Sequence, residues 1–480
     1  MILWYNKRPR RLNAVLLCGQ KEEIMNTEKQ RSSFSGKIGF VLSAAGSAVG
    51  LGNIWRFPYL AAKYGGGIFL LVYLILVLTF GYAMIIAETA LGRMTRKSPV
   101  GAYAKFGRGW QFSGGGWINA VIPILICPYY SVIGGWVCKY LAGYLSGGVQ
   151  ELAQDGYFTD FIINGADVEF WFILFSLASL VIIYMGVQNG IERVSRFMMP
   201  VLVLLAVIIA VYSVTRPGAL EGVKYFLIPN MANFSWMTVV SAMGQMFYSL
   251  SIAMGILVTF GSYMKKDVSI EQATAHVEIF DTGIAVLAGL MIIPAVFAFS
   301  GGDPTMLKAG PSLMFITMPK IFASMGVGTP VGIIFFVLVL FAALTSALSL
   351  LESGVSTFED ELHWSRKKAT LFMGFLMFGL GTLSALGYGP LSAVTVIGMQ
   401  FLDFFDFLTN SVMMPIAAMA TCLLIVRVIG IDRIAEEVRE NGAPFKRKPV
   451  FDFMIKYLCP FFVTIILFSS VGSVFGLISM

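Results

Sequence analysis

Residues 39–58 read GFVLSAAGSAVGLGNIWRFP, an apolar stretch that is long enough to cross a membrane. Its centre holds Gly46, Gly50 and Gly52, and each glycine costs a continuous helix about 1 kcal/mol relative to alanine. Inside a bilayer, irregular backbone is tolerated only where it is buried in protein or lines a cavity. The stretch therefore predicts a broken membrane helix whose interruption serves a binding site.

The same pattern recurs in the apolar stretch 233–263, whose centre, residues 248–255, reads YSLSIAMG. One such segment alone is more often a tight helix-packing seam. Two of them at matching positions favour inverted repeats with a binding site between them. Unwound backbone there exposes carbonyl groups to a cation, while helix N-termini present N–H groups to a carboxylate.

The composition excludes an ordinary soluble enzyme. Of the 480 residues, 57% are hydrophobic and 13% are charged, about half the charged share of a soluble domain. Apolar stretches long enough for membrane helices predict an all-α polytopic protein with about eleven spans. The stretches lie near residues 38–62, 67–91, 115–145, 170–186, 192–215, 233–263, 272–300, 329–358, 369–387, 394–427 and 452–478.

These spans divide into a tail, two repeats and an additional helix. We predict a cytoplasmic tail over residues 1–36, a first five-helix repeat over 37–215 and a second over 233–427. The odd number of spans in each repeat inverts the second relative to the first. Span 11, at 452–478, is an addition outside the pseudo-symmetry.

The basic residues set the predicted orientation. Most of the 34 Lys and Arg residues fall in the tail and in the loops that share its side, whereas loop 146–169 contains acidic residues and no basic one. The positive-inside rule therefore places the N-terminus in the cytoplasm and, with eleven spans, the C-terminus outside. The bilayer, and not a nucleic acid, is the partner that this charge pattern indicates.

Residues 1–24 fit poorly with the rest of the chain. Their apolar patch is too short to span a bilayer and has no signal-peptide cleavage site. The segment from Lys21 to Met25 can be encoded by a purine-rich run just before an ATG codon, which looks like a bacterial ribosome-binding site. We expect Met25 to be the true start, with Met1 as the alternative.

The sequence offers no chemistry for an enzyme. Two His and five Cys residues show no metal-ligand spacing, and no phosphate-binding loop of the Gly-Lys-Ser/Thr type occurs. We expect an ion gradient to be the energy source.

Residues 46–59, GSAVGLGNIWRFPY, followed by three glycines at 65–67, resemble the signature of the neurotransmitter:sodium symporter family. The resemblance covers residues 31–480 and is to the bacterial eleven-span amino-acid transporters. Further family motifs occur in order as QMFYSLS at 245–251, AALTS at 342–346, FEDEL at 358–362 and LDFFDF at 402–407.

By this resemblance the chain binds two sodium ions through oxygen ligands, which suit a hard cation. The first site would use Ala48, Asn53, Ser249, Asp281 and the substrate carboxylate. The second site would use Gly46, Val49, Ala342, Thr345 and Ser346. Taken without the motif, Thr345 and Ser346 more often bond their own helix backbone.

Asp281 bears on the chloride requirement. Family members that need chloride usually carry Asn at this position and Ser at the position of Ala285. A carboxylate here supplies the negative charge that chloride supplies elsewhere, so the resemblance implies transport without chloride. The alternative is an interfacial Asp with a basic neighbour, but an acid inside a span is a functional candidate by default.

The substrate is expected to be a neutral amino acid. Monoamine transporters of the family carry Asp where this chain has Gly50, and Tyr130 matches the tyrosine that contacts the substrate carboxylate. The lining is uncharged, which disfavours acidic and basic amino acids and leaves a hydrophobic or aromatic one. The resemblance places around the substrate Ala48, Gly50, Gly52, Ile126, Tyr130, Tyr248, Ser249, Ser251, Ala253, Met254, Ser346 and Leu350.

Two ion pairs are expected as gates, Arg56 with Asp406 outside and Arg31 with Asp360 inside. Charged pairs near membrane ends can instead be anchors, and Phe34 stands where the family often has Trp. The chain is thus predicted to be a sodium-coupled symporter working by alternating access in a bacterial plasma membrane. The alternative is a substrate-gated channel or an amino-acid sensor on the same fold.

Overall fold

The computed structural model describes residues 32–107, 109–301 and 311–474, apart from the side chains of 110–112 and 473–474. The predicted start at Met25 lies outside these residues. The described part is almost entirely helical and contains no strand, only two isolated bridges.

Nine helices of the described part are long and apolar enough to cross a membrane. They supply spans 2 to 5 and 7 to 11 of the predicted set, and the numbering of the spans is kept below. Their bounds are Gly67–Thr95, Ser113–Leu145, Gly165–Tyr184, Val187–Val214, Ile270–Ser300, Gly328–Glu361, Arg366–Leu386, Phe401–Ile429 and Lys448–Gly472.

Span 1 is broken, as residues 39–58 predict. Its halves, Lys37–Ala48 and Gly52–Lys63, meet at an angle of 51°. Val49, at the end of the first half, has a non-helical ψ of 86°, so the helix stops there and restarts two residues after Gly50.

Span 6 is broken too. Helices Trp236–Ser249 and Ile256–Tyr263 are separated by residues 250–255, which are not helical. Within this linker Ser251 and Ala253 have φ angles of 54° and 59°, a region that side-chain-bearing residues rarely adopt. The two broken spans and the nine continuous helices account for the eleven predicted spans, and the prediction of broken first and sixth helices is confirmed.

One span begins later than its hydropathy suggests. The apolar stretch starts near residue 394, but helix Phe401–Ile429 begins seven residues further on. The chain turns at Ile397 and Gly398, both of which have positive φ, and the bridge between Val396 and Met399 closes this turn. The repeat boundaries at 37–215 and 233–427 stay predictions.

Glycines let the second half of span 6 lie directly on span 2. A Cβ atom on Gly92 would overlap the carbonyl of Val258, and one on Gly261 would overlap that of Thr89. Such reciprocal small-residue contacts bring helix backbones close together in membranes. Span 2 therefore supports the lower half of the broken span 6.

A buried ion pair fastens the loop between spans 10 and 11 to the end of span 2. Arg93, 1% exposed, donates to Glu437 at 2.6 Å and to the carbonyl of Val268 at 2.7 Å. Lys266 reaches the same Glu437 and also Glu440, and its hydrogen bond to Glu440 lowers the pKa of that carboxyl. The loops at this end of the bundle thus form one connected cluster.

Candidate functional site

A cavity lies where the interruptions of spans 1 and 6 face each other. Eleven of the twelve residues predicted to surround the substrate line it, together with Ser47, Leu51, Asn53 and Ile256. The exception is Ala253, whose backbone N–H donates to Glu88 at 2.9 Å. The predicted residues on the cavity wall are Ala48, Gly50, Gly52, Ile126, Tyr130, Tyr248, Ser249, Ser251, Met254, Ser346 and Leu350.

Residues of the first predicted sodium site converge on Asp281. Its Oδ1 accepts a 2.8 Å hydrogen bond from Asn53 and a short one from the Ser249 hydroxyl. Its Oδ2 accepts from the hydroxyl of Tyr73 at 2.7 Å. Asp281 is fully buried, and within the described chain no Lys or Arg pairs with it.

The Asn53 side chain has a free hydrogen-bond acceptor next to Asp281. Its amide nitrogen donates to Asp281, while its Oδ1 is buried and has no partner among the described residues. A buried carboxylate with only neutral partners is costly unless a cation joins it. The unpaired Asn53 oxygen and the uncompensated charge of Asp281 fit a hard cation such as sodium.

The second predicted set lies across the interface of spans 1 and 8. The Ser346 hydroxyl approaches the carbonyls of Gly46 at 3.4 Å and Ser47 at 3.1 Å. The Thr345 hydroxyl donates to the carbonyls of Phe341 and Ala342 in its own helix. Val49, the remaining predicted ligand, is buried at the end of the first half of span 1. Every oxygen in this set is neutral.

Gly50 brings the break in span 1 against spans 3 and 8. A Cβ atom there would lie 2.6 Å from the Ser346 hydroxyl oxygen and 3.2 Å from that of Tyr130. The same Tyr130 oxygen accepts a 3.3 Å hydrogen bond from the N–H of Leu51. The space beside Gly50 is therefore filled by two hydroxyls, with a backbone N–H pointing toward one of them.

Tyr248 lies over the start of the second half of span 1. A Cβ on Gly52 would be 2.6 Å from its ring, and the Arg56 guanidinium lies 5.4 Å from the ring centre. Asp406 accepts hydrogen bonds from Tyr129 at 3.2 Å and Asn410 at 2.6 Å. Within the described chain no hydrogen bond or ion pair joins Arg56 to Asp406.

The predicted inner gate lies only partly within the described residues. Arg31 lies outside the described residues, and the Asp360 carboxylate accepts a 2.6 Å hydrogen bond from the N–H of Ser98. Phe34 is buried, and its ring packs edge-on against Phe260 at 5.5 Å. The Phe34 ring therefore packs against the second half of span 6.

Two residues beside the site are not among the predicted site residues. Tyr73 is an aromatic residue in an apolar span. Nothing in the neighbouring sequence indicates that its hydroxyl forms hydrogen bonds with Asp281 and Ser249. Glu88 reaches the non-helical linker of span 6 and is fully buried. An acid inside a span is a signal for function, but its partner 165 residues away is not visible in the sequence.

Comparison with known proteins agrees with this geometry. Residues 31–153 and 158–477 match the model of the sodium:neurotransmitter symporter family. An uncharacterized sodium-dependent transporter of Bacillus subtilis, YhdH, is 35% identical over 93% of this chain and 99% of its own length.

A human sodium- and chloride-dependent GABA transporter 2 is 28% identical over 90% of this chain and 78% of its own length. Among solved structures, MhsT in complex with L-phenylalanine superposes with a TM-score of 0.82 at 36% identity. It covers 92% of this chain and 100% of its own.

Proposed function

Because the chain belongs to the sodium:neurotransmitter symporter family and is a sodium-dependent membrane transporter, we propose that it couples sodium entry to uptake of a neutral hydrophobic or aromatic amino acid. It does so by alternating access and without chloride. The observation that carries the proposal is the buried Asp281 carboxylate beside the unpaired oxygen of Asn53. Such a site needs a cation to balance its charge.

We propose two sodium ions per cycle. The first is held by Asn53, Asp281, Ser249 and the Ala48 carbonyl, and the substrate carboxylate completes its shell. The second is held by the neutral oxygens of Thr345, Ser346 and nearby carbonyls of Gly46, Val49 and Ala342. Because the first site includes the substrate carboxylate, binding of that ion and of the amino acid favour each other, which couples the two fluxes.

Chloride independence follows from the charges around the first ion. Asp281 is buried, and its side-chain hydrogen-bond partners among the described residues are Asn53, Ser249 and Tyr73, all of them neutral. Its negative charge compensates the ion, so a chloride ion in the same place would meet electrostatic repulsion. Ala285, which is also buried, offers no hydroxyl to such an anion.

The substrate class is argued from the cavity wall. Ile126, Met254 and Leu350 supply apolar surface, and none of the described residues on the wall carries a formal charge. The Tyr130 hydroxyl and the break in span 1 suit the substrate carboxylate, and the carbonyls exposed by the break in span 6 suit its ammonium group. MhsT, of similar sequence and fold, has been solved with L-phenylalanine, which supports this class.

Ion movement supplies enough energy. Two sodium ions entering with a neutral zwitterion carry two charges, worth about 4.6 kcal/mol at 100 mV. The positive-inside rule places the N-terminus and most basic loops in the cytoplasm. We place the protein in a bacterial plasma membrane because it resembles the bacterial members of the family.

The experiment is uptake into proteoliposomes with each of the twenty amino acids, with and without an inward sodium gradient. We expect concentrative uptake of hydrophobic or aromatic amino acids that disappears without sodium and persists when gluconate replaces chloride. A channel would equilibrate the substrate without accumulating it, and a sensor would bind without uptake. Either result would refute symport.

A further inference from the structure

A second cavity lies on the outer surface of the bundle, between spans 4 and 9. Its volume is about 490 Å³, and it shares no wall residue with the cavity between the broken helices. Gly374 sets its depth, since a Cβ there would lie 3.1 Å from the Leu180 side chain. The two helices therefore touch at this glycine and leave a groove around it.

The groove opens toward lipid. Its rim carries large apolar side chains that the bundle leaves exposed: Val181 is 62% exposed, Leu371 72% and Phe375 71%. Exposed apolar faces are usual for membrane helices. A groove of this size, however, lets a lipid acyl chain enter between the two helices instead of lying across them, and its apolar wall fits such a chain.

One polar atom in the groove has no protein partner. Thr370 lines it and is 3% exposed, and its hydroxyl oxygen is buried without a hydrogen bond to any described residue. Leaving a hydroxyl unpaired in an apolar place is costly. An occupant with an oxygen atom near one end of its hydrocarbon chain would give this hydroxyl a partner.

The charge at the mouth of the groove is positive. The ammonium group of Lys367 lies 5.8 Å from the ring of Tyr184, a groove residue, and makes no ion pair within the described residues. Arg366, its neighbour, is neutralised by Glu352 and donates to the Ile183 carbonyl at 2.8 Å, which ties the ends of the two spans together. Lys367 thus remains to attract an anion.

We propose that this groove binds an anionic phospholipid of the cytoplasmic leaflet. One acyl chain fills the cavity, the Thr370 hydroxyl donates to an ester or phosphate oxygen, and Lys367 faces the headgroup. Basic residues at the cytoplasmic membrane surface attract anionic lipids in this way. The site lies outside the transport pathway and does not depend on which substrate is carried.

The test is native mass spectrometry of the purified full chain titrated with phosphatidylglycerol or with phosphatidylcholine of the same acyl composition. We expect the wild type to prefer phosphatidylglycerol about fivefold, and Lys367→Gln to abolish the preference. Lys368→Gln removes the same charge one residue away, where the ammonium group lies 4.3 Å from Trp364. We expect this variant to keep the preference.

A second pair of variants tests the acyl chain. Val181→Trp fills the groove and is expected to weaken binding of both lipids at least about tenfold. Val211→Trp on span 5 makes the same change at a position that is 57% exposed but outside the groove, and should change nothing. If Val181→Trp does not fold, Leu371→Trp on the opposite wall replaces it.

Three results would overturn the proposal. Equal affinity of the wild type for both lipids would show that the bound lipid is ordinary lipid from around the protein and that the groove does not select an anionic headgroup. Unchanged phosphatidylglycerol binding in the filled variants would place the lipid elsewhere. A changed fraction of dimers at constant lipid count would identify the groove as a contact between copies.

Discussion

Asn53, in the second half of span 1, donates a 2.8 Å hydrogen bond to Asp281 of span 7, 228 positions further along the chain. The bond orients the asparagine so that its oxygen, which has no other described partner, lies beside the carboxylate. Two residues that lie far apart in the sequence therefore come together at the proposed cation site. The following predictions start from this pair and its neighbours.

Replacing Asp281 should change the anion requirement. Asp281→Asn removes a charge worth about 4 kcal/mol to a cation in contact with it, so sodium affinity should fall at least about 100-fold. The double variant Asp281→Asn with Ala285→Ser should regain sodium-driven uptake in chloride but not in gluconate. The measurement is sodium-driven uptake by each variant in chloride and in gluconate. Equal uptake by the double variant in both anions would contradict the charge argument.

Tyr73 should tune the same site without supplying charge. Tyr73→Phe deletes the hydrogen bond to Asp281 and should raise the sodium concentration for half-maximal uptake about tenfold, since bonds to charged groups are worth about 1.5–3 kcal/mol. Tyr82→Phe is the control, because that hydroxyl donates to Glu271 instead. An equal shift in both variants would assign the effect to packing.

Gly50 should tolerate no side chain. Its Cβ would come within 2.6 Å of the Ser346 hydroxyl, so Gly50→Ala should abolish substrate binding, measured by scintillation proximity with a labelled amino acid. Gly283→Ala is the matched change, since nothing lies within 4 Å of a Cβ at that position of span 7. Normal binding by Gly50→Ala would disprove the close approach.

Glu88 should hold the break in span 6. Its carboxylate accepts the N–H of Ala253, whose φ of 59° is unfavourable for alanine. Glu88→Gln keeps an acceptor and should retain most uptake, whereas Glu88→Ala should reduce it about tenfold or more. Both rates are compared at equal amounts of folded protein. Similar losses in the two variants would point to the charge and not to the bond.

Arg93 and Glu437 should contribute to stability more than to transport. Glu437→Ala leaves a buried guanidinium without its carboxylate, a loss of about 3–5 kcal/mol, and should shorten the half-life in detergent at elevated temperature. Asp432→Ala removes a carboxylate that pairs with Lys448 at 3.2 Å but is 90% exposed, so its effect should be small. Equal half-lives of the Glu437→Ala and Asp432→Ala variants would show that the Arg93–Glu437 pair does not anchor the loop.

The broken spans were predictable because their cause is local. Glycine and serine in the middle of an apolar stretch weaken a helix wherever it is placed, and the structure breaks spans 1 and 6 at these residues. Span 10 was predicted too long, since hydropathy does not detect a turn such as Ile397–Gly398 that is built from apolar residues.

The substrate pocket and both sodium sets were named from short motifs, and the structure brings eleven of the twelve pocket residues together. The motifs could not show that Arg56 lies over Tyr248 while Asp406 bonds Tyr129 and Asn410. These contacts depend on helix rotation and separation, which the sequence does not encode locally.

The amino-acid sequence alone predicts a bundle of membrane helices, the places where two of them break, and the residues that carry charge inside the bilayer. These follow from the free energy of apolar residues in lipid and from backbone propensity, which act residue by residue. The proximity of Tyr73 and Glu88 to the predicted site emerges only when the helices pack, because their partners lie 208 and 165 positions away. Packing of whole helices, which depends on side-chain volume on every face, brings such residues together.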